Sequence, residues 1–201
     1  MSGVNESQRI VFATGNTAKL REMRAMLGPT VELVLQGDIG LEPVEETGQT
    51  FTDNALLKAR HAAAASGLPA LADDSGIEVD ALGGAPGVYS ARYAGINASD
   101  EDNLSRLLQD MRGKENRVAR FQCVLVYVRS KDDPNPLIAK GSWEGSIASE
   151  PSGNGGFGYD PIFIDAASGI CAAAMSFDEK NALSHRGMAL TILRQMLVDV
   201  I

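Results

Sequence analysis

The 201-residue chain is short of positive charge: 18 Lys and Arg stand against 26 Asp and Glu, a formal net charge of −8. A protein whose main task is to hold a nucleic-acid backbone needs a net basic surface, so no nucleic-acid polymer is expected as a partner. That deficit says little about small anions, which a few well-placed cations can hold. No window approaches the roughly 18 consecutive apolar residues of a membrane span, so no membrane partner is expected either. The first eight residues are polar and lack an apolar core, so no secretory signal is expected. Cysteine is scarce: only Cys123 and Cys171 are present. A disulfide framework needs more, and Cys123 sits in an apolar strand-like run. The expected compartment is therefore the cytoplasm. Internal repeats and low-complexity tracts are absent. Apolar residues make up 44% and charged residues 22%, which is globular composition and excludes global disorder. The length suits a single domain over 1–201, with room for two lobes sharing one core.

What is present alternates in period. Residues 9–13 read as a short apolar strand. Residues 17–27 carry Leu20, Met23 and Leu27 at helical spacing, and Gly28-Pro29 stops them. A second strand follows over 31–35, then a polar, acidic loop over 37–48. Residues 51–66 are an alanine-rich helix ended by Gly67. Leu71 begins a strand that runs into Asp73-Asp74-Ser75-Gly76. An amphipathic helix covers 99–111. Residues 117–129 and 136–147 read as two long antiparallel strands around a turn at 131–135. A glycine loop covers 153–158. The terminal helix, 184–200, carries Leu190, Leu193, Leu197 and Val200 on one side. Strand-helix alternation plus an antiparallel pair predicts an α/β fold with a mixed sheet.

Five segments carry candidate chemistry. Thr14-Gly15-Asn16 with Lys19 lies at a strand-to-helix turn. Unpaired amides at a helix start favour an anion, and Lys19 is placed to reach the same anion. An ordinary cap is the alternative, since Thr and Asn both cap well. A Walker P-loop occurs nowhere in the chain. In Thr50-Phe51-Thr52-Asp53-Asn54, Thr50 and Asp53 have capping-box spacing, while an acid in a first turn can also face a metal. Asn54 and Lys58 are four apart and share a helix face. Asp73 and Asp74 repel each other unless positive charge lies near. As strand neighbours they point to opposite faces. Mg²⁺ accepts one or two carboxylates completed by phosphate oxygens and water. A turn with side chain-to-backbone bonds is the alternative, and the apolar flanks Leu71, Ala72 and Ile77 favour function.

Gly153 to Gly158 contains a literal G-x-G-x-x-G. A dinucleotide fingerprint must open a helix, however, and here Pro161 and the strand-like Ile162-Phe163-Ile164 follow. A glycine loop bearing Phe157 and Tyr159 instead suits a planar ring, with aromatic faces stacking and backbone amides reading polar edges. Lys180 and Ser184-His185-Arg186-Gly187 form the fifth segment. Ser184 is a plausible N-cap. Cations at a positive helix end are odd unless an anion visits, or unless the turn is merely solvated. His61, in the alanine-rich helix, reads as structural.

Taken in order, these segments resemble the inosine/xanthosine triphosphate pyrophosphatases. The resemblance runs from Val11-Phe12-Ala13-Thr14-Gly15-Asn16-Thr17-Ala18-Lys19 through Phe51-Thr52-Asp53-Asn54-Ala55. It continues through Leu71-Ala72-Asp73-Asp74-Ser75-Gly76 and Gly83 to Tyr93, then Gly155 to Pro161, and ends at Ser184-His185-Arg186-Gly187. It implies a two-lobed α/β fold with an elongated central mixed sheet, helices on its flanks, a substrate cleft between the lobes, and a homodimer. The implied activity is Mg²⁺-dependent hydrolysis of deaminated purine nucleoside triphosphates (ITP, dITP, XTP) to monophosphate and pyrophosphate. The resemblance makes Asp74 the proton acceptor and a metal ligand, with Asp73 and Asp53 as further metal candidates. Many relatives of this kind carry glutamate at position 53, so the shorter Asp53 suggests contact through water. Thr14, Gly15, Asn16, Thr17, Ala18, Lys19 and Lys180 are implied at the phosphates, with Asn54 and Lys58 facing the ligand and Ser75 touching it. Phe157, Gly158, Tyr159, Asp160, His185 and Arg186 are implied around the base. A pyrophosphatase for modified pyrimidine nucleotides and a non-catalytic nucleotide sensor are the competing readings.

Overall fold

The computed structural model describes residues 8–27 and 31–198. The expected helix stop at Gly28-Pro29 and the expected packing of Val200 lie outside the described residues. In chain order the elements are β1 (Gln8–Ala13), α1 (Thr17–Leu27), β2 (Val31–Leu35), α2 (Phe51–Ser66), β3 (Ala70–Val79) and α3 (Asp100–Asp110). There follow β4 (Val118–Val128), β5 (Leu137–Ile147), β6 (Phe163–Asp165), α4 (Phe177–Leu183) and α5 (His185–Leu197). The six strands make one open sheet in the order β2-β1-β3-β4-β5-β6. β1 runs parallel to β2, with Gln8 opposite Val31, and parallel to β3, with Val11 opposite Ala70. Ile147 N donates to the Arg117 carbonyl at 2.9 Å, joining the end of β5 to the start of β4 and making that pair antiparallel. β6 is antiparallel to β5. The sheet is therefore mixed, as expected. Among the described residues no helix is long and apolar enough to cross a membrane.

Two compact units divide the chain. The first comprises Met1–Asp74, Val124–Lys140 and Ala189–Ile201; the second comprises Ser75–Cys123 and Gly141–Met188.

In the first unit, Ile10, Val11, Phe12 and Ala13 of β1 are all buried. Burial on both faces is what an interior parallel strand requires. α2 packs on β1, and its buried face is mostly alanine, which lets the helix sit close. Its ends follow local rules: Thr50 Oγ1 accepts from Asp53 N at 3.1 Å, and Gly67 adopts φ +70° as the C-cap.

In the second unit, Ile77, Leu107, Phe121, Trp143, Ile147 and Phe163 form the core. Withdrawing such side chains from water supplies about 1.5–3 kcal/mol apiece. β5 alternates buried and solvent-facing residues, the pattern of a strand with one wet face. The glycine loop leads into a single 3₁₀ turn, Asp160–Ile162, and then β6, so no helix opens on it. Helix α4 was not expected. Its start is a capping box: Ser176 Oγ accepts from Glu179 N at 3.2 Å, and Glu179 Oε2 accepts from Ser176 N at 2.8 Å.

Candidate active site

In the first unit the site begins where β1 ends. Asn16 N donates to Thr14 Oγ1 at 3.1 Å, while Asn16 Oδ1 accepts from Ala18 N at 2.9 Å and Lys19 N at 3.1 Å. The cap is therefore real, and Thr17 opens α1 directly after it. Gly15 is exposed, and a Cβ there would meet nothing within 4 Å, so the turn stands open to a close approach. Lys19, in the first turn of α1, forms an ion pair with Asp73.

β3 runs straight through Asp73, Asp74, Ser75 and Gly76, and both aspartates are buried. That excludes a surface turn. The two carboxylates take different cations: Asp73 pairs with Lys19 of α1, and Asp74 with Lys58 of α2. Lys58 Nζ donates to Asp74 Oδ1 at 2.8 Å, to the Asp73 carbonyl at 2.8 Å and to Glu46 Oε1 at 2.7 Å. Asp74 Oδ2 is buried and has no hydrogen-bond partner among the described residues. Burial pushes the Asp74 carboxyl above its ordinary value, more strongly than Lys58 draws it down, and the charge of Glu46 adds to the rise. For Lys58 burial works downward, but Asp74 and Glu46 together outweigh it and raise its pKa. The two shifts agree physically, since Lys58 has two anions and Asp74 has one close cation and an anionic neighbour.

Glu46 belongs to the acidic loop and escaped the sequence reading. Buried Asn54 places it: Asn54 Oδ1 accepts from Gly48 N at 2.7 Å. A Cβ on Gly48 would stand 2.6 Å from that oxygen, so only glycine fits. Asn54 Nδ2 is buried without a partner among the described residues. Asp53, expected at a metal, is exposed, and its Oδ2 accepts from Thr50 Oγ1 at 2.7 Å. It shares an open hollow with Val44, Leu56, Leu57, Arg60 and His61. The shorter side chain closes the helix cap, and Glu46 is the acid that reaches Lys58.

In the second unit the glycine loop is pinned from three directions. Phe157 N donates to Asp160 Oδ2 at 2.8 Å, Gly158 N to Asp100 Oδ2 at 2.8 Å, and Tyr159 OH to the Ser90 carbonyl at 2.8 Å. The loop thus presents the Phe157 ring on a fixed backbone. Lys180 is buried, forms an ion pair with Asp160, and sets its Nζ 4.7 Å from the Phe157 centroid. The resemblance implies Lys180 at the phosphates, and in the fold its ammonium lies beside this ring. Arg186 Cζ lies 5.8 Å from the same centroid, and its Nη2 donates to Ser75 Oγ at 2.9 Å. His185 stacks on Phe121 with centroids 4.7 Å apart. His185 and Arg186 are 4% and 1% exposed, which excludes a merely solvated first turn. Ser184 Oγ accepts from Gly187 N at 3.1 Å, the expected cap of α5.

In the first unit, an acid-lysine centre beside an open helix start suits a phosphate; in the second, cations on a fixed aromatic ring suit a planar group. The sequence model of the Ham1 family matches residues 10–196. This chain belongs to the Ham1 family. The dITP/XTP pyrophosphatase of Shigella flexneri is 54% identical over 193 residues, covering 94% of this chain and 98% of that protein. That of Yersinia pseudotuberculosis is 54% identical over 195 residues, covering 96% and 99%. The solved HAM1 protein of Coxiella burnetii superposes with a TM-score of 0.89 at 46% identity, covering 96% of this chain and 100% of that one. Among the described residues of this Ham1 chain, no three His, Cys, Asp or Glu side chains form a complete metal cage. Asp100 and Ser90, which hold the loop, also escaped the sequence reading, because neither carries a local signal of its distant partner.

Proposed function

We propose that this chain is a pyrophosphohydrolase for deaminated purine nucleoside triphosphates (ITP, dITP and XTP), cleaving between the α and β phosphorus to leave a monophosphate and pyrophosphate. The observation that carries the reading is the buried Asp74 carboxylate, with one oxygen held by Lys58 and the other without a partner among the described residues. The names of the relatives, dITP/XTP pyrophosphatases, point to two of these substrates.

The residues present fit a divalent cation. Mg²⁺ takes one or two protein carboxylates and completes its shell with water and phosphate oxygens, so a three-acid cage is not needed. Asp74 and Glu46 would hold it, with Asp73 as the neighbouring acid. When bound, the ion supplies charge neutralisation at the phosphates and a water of lowered pKa. Asp74 accepts a proton from the attacking water. Lys58 orients Asp74 by gripping one oxygen. Lys19 and the turn from Thr14 to Ala18 receive the phosphate chain. Phe157 stacks on the base, while Lys180, His185 and Arg186, with the backbone of residues 157–160, line its edge.

Selection follows from the edge of the base. Hypoxanthine and xanthine present a 6-oxo acceptor, whereas adenine presents a 6-amino donor. Fixed donors left unpaired against adenine discriminate by roughly 10⁴–10⁵. The test is pyrophosphate release across ITP, dITP, XTP, ATP and a modified pyrimidine triphosphate, with Mg²⁺ and with EDTA. Fast release from the 6-oxo purines, lost in EDTA, is expected. Equal turnover of ATP and ITP refutes the selection, and preference for the pyrimidine redirects the substrate class. Tight binding without release would make the chain a sensor. The working form is proposed to be a homodimer in the cytoplasm. A light-scattering mass equal to one chain would refute the dimer.

A further inference from the structure

The proposed function does not use the aromatic wall behind His185. The imidazole lies 4.7 Å from the Phe121 ring with only 11° between planes, and 6.4 Å and 16° from Trp143. Phe163 braces both rings, tilted at 4.6 Å from Phe121 and 4.9 Å from Trp143. The three rings come from β4, β5 and β6, consecutive strands of the sheet. Trp143 is itself fixed: its Nε1 donates to Asp165 Oδ1 at 2.8 Å. Asp165 Oδ2 in turn accepts from Ser168 N and Ser168 Oγ, both at 2.7 Å. Both oxygens of a buried carboxylate are thus spent on keeping the wall in place.

An imidazole has a broad, roughly two-fold preference about its second side-chain torsion, so its own rotamer does not fix its plane. Its ring nitrogens act only within that plane, and a hydrogen bond weakens steeply as the angle departs from linear. A flat wall therefore decides where the ring nitrogens of His185 point. Arg186, next in sequence, is held by Ser75 and Phe157.

We infer that Phe121 and Trp143, the latter held by Asp165, are positioning residues that set the plane of His185 and thereby the selection of 6-oxo purines. The inference rests on the proposed nucleotide activity and adds to it which residues give the site its selectivity. Phe121→Leu keeps apolar bulk and removes the flat face. Trp143→Phe keeps a ring and deletes the bond to Asp165. The chain has only two histidines, so a His61→Gln spectrum assigns the His185 imidazole proton resonances. In Phe121→Leu those resonances leave their ring-current-shifted position. The ratio of kcat/KM for ITP to that for ATP falls by about tenfold, mainly through the KM for ITP. Trp143→Phe shifts both in the same direction by less, and it carries the test alone if Phe121→Leu does not fold. Resonances that move while the ratio stays within about twofold of wild type overturn the inference. So does an equal loss on both nucleotides, which is what simple destabilisation produces. A wild-type protein with no preference for ITP refutes the proposed function instead, and the resonances still report whether the wall orients His185.

Discussion

Asp74→Asn separates the chemistry of the site from its stability. The substitution keeps the shape of the side chain and leaves an oxygen for Lys58, which also retains Glu46 Oε1 at 2.7 Å and the Asp73 carbonyl at 2.8 Å. The carboxyl of Asp74 is raised in the fold, chiefly by burial and only partly offset by Lys58. A raised acid contributes stability at low pH that is lost as pH rises through its folded value. At neutral pH its ionised form is therefore a burden on the fold. Removing that charge relieves burial and weakens one ion pair, opposing effects of similar size. The net change in stability is expected within about 1 kcal/mol. The chemical step has no such compensation, since an amide cannot accept the proton. Loss of a general base costs roughly 10²–10⁴ in kcat, or about 3–5 kcal/mol of barrier. Pyrophosphate release from ITP and a thermal melt on the same preparation read the two quantities. Activity above about a tenth of wild type in a folded variant refutes Asp74 as the base. A collapse of the melting temperature would show that the Asp74–Lys58 pair is primarily structural. The residual activity of Asp74→Asn should lack the acid limb that ionisation of this carboxyl gives the wild-type rate profile.

Other perturbations test the surroundings. Lys58→Met removes the ammonium from between two carboxylates, which should cost about 3 kcal/mol without metal. Added Mg²⁺ should recover part of that in a thermal melt, and no recovery would argue against a cation beside Asp74. Gly156 holds φ +74°, and a Cβ there would fall on the Asp160 carboxylate. Gly156→Ala should cost about 1–3 kcal/mol and raise KM through the displaced Phe157, seen in melts and saturation curves. Asp133 takes the Arg129 side chain and the amides of Arg129 and Asn135, and the guanidinium leads in holding its carboxyl far below the ordinary range. A depressed acid stabilises above its unfolded pKa and loses that contribution as pH falls toward its folded value. Asp133→Asn should therefore lower stability by about 1–2 kcal/mol at neutral pH, and the gap should close in acid. A gap that widens in acid refutes that sign.

Much of this protein is written locally. Thr50 and Gly67 bound α2 because a hydroxyl cap and a left-handed glycine act within a few residues. β1 is a buried apolar run, so period and composition sufficed for it. The Ser176-x-x-Glu179 spacing announces α4 just as locally. The turn at Thr14–Asn16, the paired aspartates and the aromatic glycine loop were likewise legible, since each is a short stretch with its own chemistry. Partners were not legible. Asp53 is both a cap and a metal candidate by its position, and only the fold shows its carboxylate bonded to Thr50 while Glu46 reaches Lys58.

The opening charge balance shows the same division. Net charge argues against a long polyanion by composition alone, because a polymer needs a basic surface. It could not foretell that Lys19 and Lys58 converge on Asp73 and Asp74, or that Lys180 and Arg186 converge on Phe157. Caps, periods and turns depend on neighbours within about one helical turn, and the sequence determines them by itself. Ion pairs, stacked rings and raised pKa values depend on groups brought together from distant positions, so tertiary structure decided them.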